Sequence, residues 1–274
     1  MARPLRIEFP GACYFVTSRG NASERVFLDS DDGKLWMDTF ESVCSRFGWI
    51  CYAYCLMDNH YHIVVETPRP NLSAGMRQLN GVFTQAFNRR HKRGGHVFMG
   101  RFKSIVFQKE KYLKPLIKHV VLNPVRKGII TAPSQWKWSS CRASCGGDES
   151  VAFIDTKAVA GIFGGVDGFK SFVSDGNYDD IRSGVKGQIY LGDEIFVEKT
   201  AALASSDSKE IPLKQRTGIK PSRGADRNEA IISAFRSGSY SMKEISDLFG
   251  VHYSTVSRIL SENDSPPIKL KKTG

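Results

Sequence analysis

Two apolar runs separated by a two-residue break constrain this chain more than any other feature. Trp49 to Met57 and Ile63 to Val65 are rich in aromatic and β-branched residues, and Asp58-Asn59 between them is turn chemistry. The stretch predicts a strand, a tight turn and a second strand. His60 and His62 lie two apart at the start of the second strand. Both imidazoles therefore point to one face of the sheet, about 7 Å apart along it. Such a pair can grip one divalent cation from one side. A lone strand histidine is more often structural, so the other half of any site has to come from elsewhere in the chain.

Around this hairpin, strands and helices alternate. Residues 12–18 predict a first strand. Asp29 to Phe47 carries Leu35, Trp36, Phe40, Val43 and Phe47 near helical period, with Asp29, Asp31 and Asp32 where negative charge favours a helix N-terminus. Asn71 opens a second helix with Leu72, Met76, Leu79, Phe83 and Phe87 on its apolar side. His96 to Gln108 reads as extended, and Tyr112 to Leu122 as a helix ended by Asn123-Pro124. The expected fold class is mixed α/β (α+β). Its centre is an antiparallel sheet with helices packed on it, most economically on one face.

Charge narrows the partners. The 274 residues carry a formal charge of +11 and a pI near 9.4, which predicts a polyanionic partner, most commonly nucleic acid. No apolar run approaches the roughly 20 residues that span a bilayer, and the first six residues lack a signal peptide's apolar core. The expectation is a cytoplasmic protein with no membrane partner, its six cysteines reduced and mostly buried. Between Glu66 and Glu110 there is no Asp or Glu, while Arg77, Arg89, Arg90, Lys92, Arg93, Arg101 and Lys103 all fall there. One-signed charge over this length predicts a phosphate-contacting face, with Phe83, Phe87, Phe98 and Phe102 mostly core and some available for base stacking.

After Trp136-Lys137-Trp138-Ser139-Ser140 the composition shifts to Gly, Ser and Asp. Residues 1–145 are expected to form one domain, and 146–223 a helical extension and linker. Within that extension Ala158 to Val173 and Asp193 to Leu203 predict short helices, and 205–223 a polar linker. Residues 224–264 carry a helix-turn-helix rhythm. Gly250 sits at the turn, Val251 and Val256 face inward, and Ser254, Thr255 and Arg258 face outward, where a major groove would be read. The basic tail Lys269-Leu270-Lys271-Lys272 could touch phosphates.

Four motifs occur in order: Asp58-Asn59-His60-Tyr61-His62, Gly100-Arg101-Phe102-Lys103, Leu122-Asn123-Pro124-Val125-Arg126-Lys127-Gly128 and Trp136-Lys137-Trp138-Ser139-Ser140. As an ordered set they resemble the IS200-like transposases, and more closely the REP-associated tyrosine transposases, over roughly residues 5–145. The resemblance implies a histidine-hydrophobe-histidine nuclease fold. It implies a divalent metal, Mg²⁺ or Mn²⁺, held by His60 and His62, with Asn123 completing the shell. It also implies nicking and rejoining of single-stranded hairpin DNA through a 5′-phosphotyrosine, and a homodimer. Duplex DNA is the expected partner of the C-terminal helix-turn-helix.

One position departs from the family. Four residues before Asn123, where the family carries its nucleophilic tyrosine, this chain has His119. Spacing keeps His119 and Asn123 on one helix face, but imidazole is not phenol. Three readings stay open. His119 acts as the nucleophile of a nicking transposase. It acts as a general base or third metal ligand, which makes the site a water-using nuclease. Or the chain is a catalytically silent relative that binds DNA or RNA hairpins as a regulator. Tyr112, two turns earlier, is the nearest tyrosine and is expected to be core.

Overall fold

The fold rests on one five-stranded sheet in the order β2-β3-β1-β4-β5. It is described by a computed structural model covering residues 6–147, 151–175, 181, 183–206, 225–236, 240 and 242–263. The predicted linker beyond residue 206 and the basic tail 269–272 lie outside the described residues. The chain divides into two compact units, Met1–Ser205 and Ser206–Gly274.

In the first unit, β1 (Ala12–Arg19) is central and pairs antiparallel with both β3 (His60–Thr67) and β4 (Lys103–Phe107). β2 (Ile50–Met57) joins β3 through Asp58-Asn59, and the short β5 (Tyr190–Leu191) adds a parallel edge beside β4. The register sets Thr17 opposite His62 and Arg19 opposite His60. Residues 136–140 close the outer edge of β2. Leu56 N–H donates to Trp138 O at 2.8 Å, and Ser140 N–H to Tyr54 O at 3.0 Å. That spares an open strand edge.

Helices cover both faces of the sheet, not one. Both parities of β2 and β3 are buried, so neither face can be left to water. On one face lie α1 (Ser30–Phe47) and α2 (Leu72–Arg90). Trp36 of α1 packs at a tilt against Tyr61, ring centroids 4.8 Å apart, and the Tyr61 hydroxyl donates to Asn80 Oδ1 of α2 at 2.6 Å. On the other face lies α3 (Lys109–Val121), followed by the single turn α4 (Asn123–Arg126). Lys109 at the start of α3 pairs with Glu66 of β3 at 2.6 Å, which pins the helix so that its last turn reaches His62.

Local sequence explains the helix ends. Asp29 caps α1 by accepting from the amides of Asp31 and Asp32. Gly48 ends α1 at φ +68°, a left-handed conformation that glycine adopts without a Cβ clash. Asn71 ties the start of α2 to the end of α1. Its Nδ2 donates to Phe47 O at 3.0 Å, and its Oδ1 accepts from Trp49 Nε1 at 2.8 Å. The extended reading of 96–108 holds only for Lys103–Phe107. Residues 96–102 form an irregular loop whose pairing is a lone bridge from Phe98 to Gly20. Phe98 and Phe102 are spent as buried anchors of that loop.

Gly75, inside α2, gives a stability test. In an open helix Gly→Ala gains about 1 kcal/mol. Here an added Cβ would sit 2.2 Å from the buried Trp49 ring. Overpacking costs roughly 1–3 kcal/mol, and the clash with a ring held by Asn71 is severe. Gly75→Ala is therefore expected to lower the thermal midpoint. A raised midpoint in calorimetry would show that Trp49 is free to move.

The remainder of this unit is short helices: α5 (Cys141–Ser144), α6 (Thr156–Gly161), α7 (Val166–Ser174) and α8 (Glu194–Ser206). The buried Lys118 of α3 pairs with Asp175 at the end of α7. The second unit has helices at Ala225–Arg236, Met242–Phe249 and Tyr253–Asn263 around Ile231, Ile245, Phe249, Val256 and Ile259. Gly250 turns the chain at φ +62°. Ser254 and Arg258 of the last helix are exposed and Thr255 is half-buried.

Candidate functional site

His60, His62, His119 and Asn123 line one open cleft of about 540 Å³ on the α3 face of the sheet. Strand alternation puts His60 and His62 there and sends Tyr61 into the opposite core. The His60 and His62 rings lie 4.9 Å apart, centroid to centroid. Phe15 of β1 stacks on His62 at 5.2 Å and meets the His119 ring edge-on at 5.6 Å.

Hydrogen bonds orient each ring. Asn59 donates its amide nitrogen to Ser23 O, so its Oδ1 faces His60 Nδ1 at 2.7 Å and must accept from it. The neutral His60 ring then carries its lone pair on Nε2, which meets Asn123 Nδ2 at 3.0 Å. Turning the Asn123 amide over would set an amide oxygen beside that lone pair. His62 Nδ1 lies 2.8 Å from the Thr17 hydroxyl, a second-sphere contact of the kind that fixes a ligating imidazole. Two imidazoles and an amide oxygen suit a divalent cation. With no carboxylate among them, the set favours Mn²⁺ over the harder Mg²⁺.

His119 is held differently. Arg126 Nη1 donates to its Nδ1 at 2.7 Å. Guanidinium has no acceptor, so Nδ1 must carry the lone pair and a neutral ring then bears its proton on Nε2. In that form His119 is an N–H donor at Nε2, not a nucleophile or a ligand there. Among the described residues no tyrosine lines the cleft. Tyr112 is half-buried and lies instead near Gly184.

The cleft is basic. Arg19, Arg25, Arg126 and Lys127 line it, and among the described residues one carboxylate faces them, Asp58, which pairs with Arg25 at 3.5 Å. A family model described as "Transposase IS200 like" matches residues 14–120. Residues 14–120 belong to the IS200-like transposase family. A Haemophilus influenzae protein named as a REP-associated tyrosine transposase is 21% identical over 141 residues, covering 47% of this chain and 80% of that protein. A solved REP-associated tyrosine transposase bound to a REP hairpin aligns with a TM-score of 0.48 at 17% identity, over 53% of this chain and 86% of that one.

In the transposase domain the predicted basic residues do not form one surface. Arg77 and Arg101 line, with Arg6, a groove of about 910 Å³ between α2 and the 96–102 loop, with no carboxylate lining it among the described residues. The Arg6 guanidinium stacks 3.6 Å over Phe102, and burial together with neighbouring Arg101 lowers its proton affinity. Lys103 lines an adjoining groove with Arg6 and Arg101, while Arg89 and Lys92 are exposed. Arg90 and Arg93 are engaged by acids. Arg90 reaches Asp29 and Asp32, both at 2.7 Å, and Arg93 reaches Glu24 at 3.0 Å. Phe83 and Phe87 are wholly buried, which removes them from base stacking.

Asp29, Asp32 and His91 cluster closely enough to suggest a second cation site. Arg90 already supplies the positive charge there, and His91 Nε2 adds a contact to Asp32 Oδ1 at 2.8 Å. The hydrogen bond from Arg90 draws the Asp29 carboxyl down to about 2. A depressed carboxyl stabilises the fold above its unfolded value near 4, and that contribution fades as pH falls towards 2.

Arg126, Lys127, Thr17 and Asn59 escaped the sequence reading of the site. Arg126 and Lys127 stand inside the quoted Asn123-Pro124 motif and could have been suspected. Thr17 could not, because only the β1–β3 register brings it opposite His62.

Proposed function

We propose that this chain binds single-stranded hairpin DNA through its transposase domain. A phosphate would be held in the His60/His62/Asn123 cleft with a divalent cation, and the covalent transfer step is lost. The observation that carries this reading is the Arg126–His119 hydrogen bond beside an intact histidine pair. The cation, when bound, supplies Lewis-acid polarisation of a phosphate oxygen. Asn59 and Thr17 orient the two imidazoles, Arg126 and Lys127 add phosphate contacts, and His119 offers an Nε2–H donor to an oxygen. The groove of Arg6, Arg77 and Arg101 receives the backbone of the same nucleic acid, with Arg89, Lys92 and Lys103 as outlying contacts. The C-terminal unit reads duplex DNA with its last helix in the major groove, through the exposed Ser254 and Arg258 and the half-buried Thr255.

Hairpin DNA titrated at several salt concentrations tests this. Counterion release makes affinity fall steeply with salt, by about 0.7 in the log–log slope for each single-strand phosphate neutralised. Arg77→Ala with Arg101→Ala should flatten the slope by about 1.4, roughly two contacts' worth. Arg90→Ala should leave the slope and lower the melting temperature, because that side chain is tied to α1. Truncation after Ser205 should abolish duplex binding and spare the hairpin. A slope that is unchanged in the Arg77/Arg101 variant and flattened in Arg90→Ala would move the DNA face elsewhere.

A further inference from the structure

We propose that Cys141 and Cys145 are a redox-active dithiol that hydrogen peroxide converts to an internal disulfide. The two sulfurs already lie 3.8 Å apart, four residues apart across α5. One helical turn sets the Cα atoms about 6 Å apart, inside the span that a disulfide bridges. Closing to about 2.05 Å needs side-chain rotation and a small backbone shift. Cys141 is fully buried and Cys145 half-buried, so one sulfur can meet a solute while the other waits behind it. The hydrogen bond between the two sulfurs, then the charge of Lys170 on α7, draw the Cys145 thiol down. The same bond and burial push Cys141 up. Cys13, Cys44, Cys51 and Cys55 are buried, and burial raises each thiol. The 3.8 Å approach of the two sulfurs and the half-exposure of Cys145 separate this pair from the other four cysteines.

The chemistry balances. The Cys145 thiolate attacks one peroxide oxygen, the O–O bond breaks, and a sulfenic acid and hydroxide form. Hydroxide takes up the proton that Cys145 had released. The Cys141 sulfur then attacks the Cys145 sulfur, the S–O bond breaks, and the departing hydroxide leaves as water with the Cys141 proton. Two thiols lose two electrons, and one peroxide becomes two waters. Reduction by an external dithiol reverses the change. The pair sits directly after the 136–140 segment that closes the β2 edge, so the bond would cross-link the chain where that segment ends.

The test uses the full, reduced chain, one equivalent of hydrogen peroxide at neutral pH, alkylation and tryptic mass mapping. Arg142 lies between the cysteines, so trypsin separates them into two peptides. The expected result is a joined peptide pair that reduction splits, with the other four cysteines still alkylated after unfolding. In Cys145→Ser, Cys141 should remain a thiol at the same peroxide dose. Both cysteines staying alkylated in the wild type would overturn the proposal. So would Cys145 advancing to sulfinic acid beside an untouched Cys141, or oxidation of Cys141 in Cys145→Ser.

Discussion

His119→Tyr is expected to make a denaturant-stable covalent adduct with labelled hairpin DNA and Mn²⁺, where wild type and His119→Ala make none. In the wild-type cleft Arg126 donates to Nδ1, which leaves a neutral ring with its proton on Nε2. Attack through Nε2 would first require that proton to leave, and Arg126 is a donor that cannot accept it. Imidazole is also shorter than phenol, and a misplacement of about 1 Å can cost two orders of magnitude in rate. A phenol on the same helix position would extend towards the histidine pair, and Arg126 would favour its ionised form. The gain should therefore be at least about 100-fold over background on a denaturing gel. Cleavage by wild type that His119→Ala loses would make His119 catalytic and end the silent-relative reading. An adduct on wild type that His119→Ala retains would place the nucleophile on another residue.

Loss of the histidine pair is expected to have the second largest effect. His60→Ala with His62→Ala should abolish Mn²⁺ binding measured by calorimetry, without reference to any activity. The finer forecast concerns the orienting contacts. Thr17→Val keeps the bulk of the side chain but removes the hydroxyl 2.8 Å from His62 Nδ1. Second-sphere losses of this kind weaken metal binding by about 10–100-fold. Equal affinity in wild type and the double variant would remove the cation from this cleft. Loss in the double variant with none in Thr17→Val would mean that the Thr17 hydroxyl does not orient His62 for the cation.

Much of the scaffold was readable in order along the chain. The β2–β3 hairpin, α1 and α2 follow from periodicity between near neighbours, and the start of α1 also from the Asp29 cap. Those signals are local, so they survive in a single sequence. The loop 96–102 was misread as strand because its aromatics carry a strand-like composition. Phe98 and Phe102 instead pin an irregular segment, which depends on distant partners such as Arg6. The second helical layer was signalled by the near-continuous apolar run of β2, but a short apolar run alone does not say what covers its second face.

At the candidate site the division is similar. Sequence by itself determined that His60 and His62 share a face, because a strand repeats every two residues, and that His119 and Asn123 share another, because a helix repeats near every four. Only the tertiary structure decided that the two faces meet. The Asn123–His60 contact joins residues 63 apart in the chain and Thr17–His62 joins residues 45 apart. Charge followed the same rule. Composition marked the interval from Glu66 to Glu110 as basic. Which cations face solvent and which are bound depends on where α1 lays Asp29 and Asp32, and that placement is set by packing on the sheet, not by local pattern.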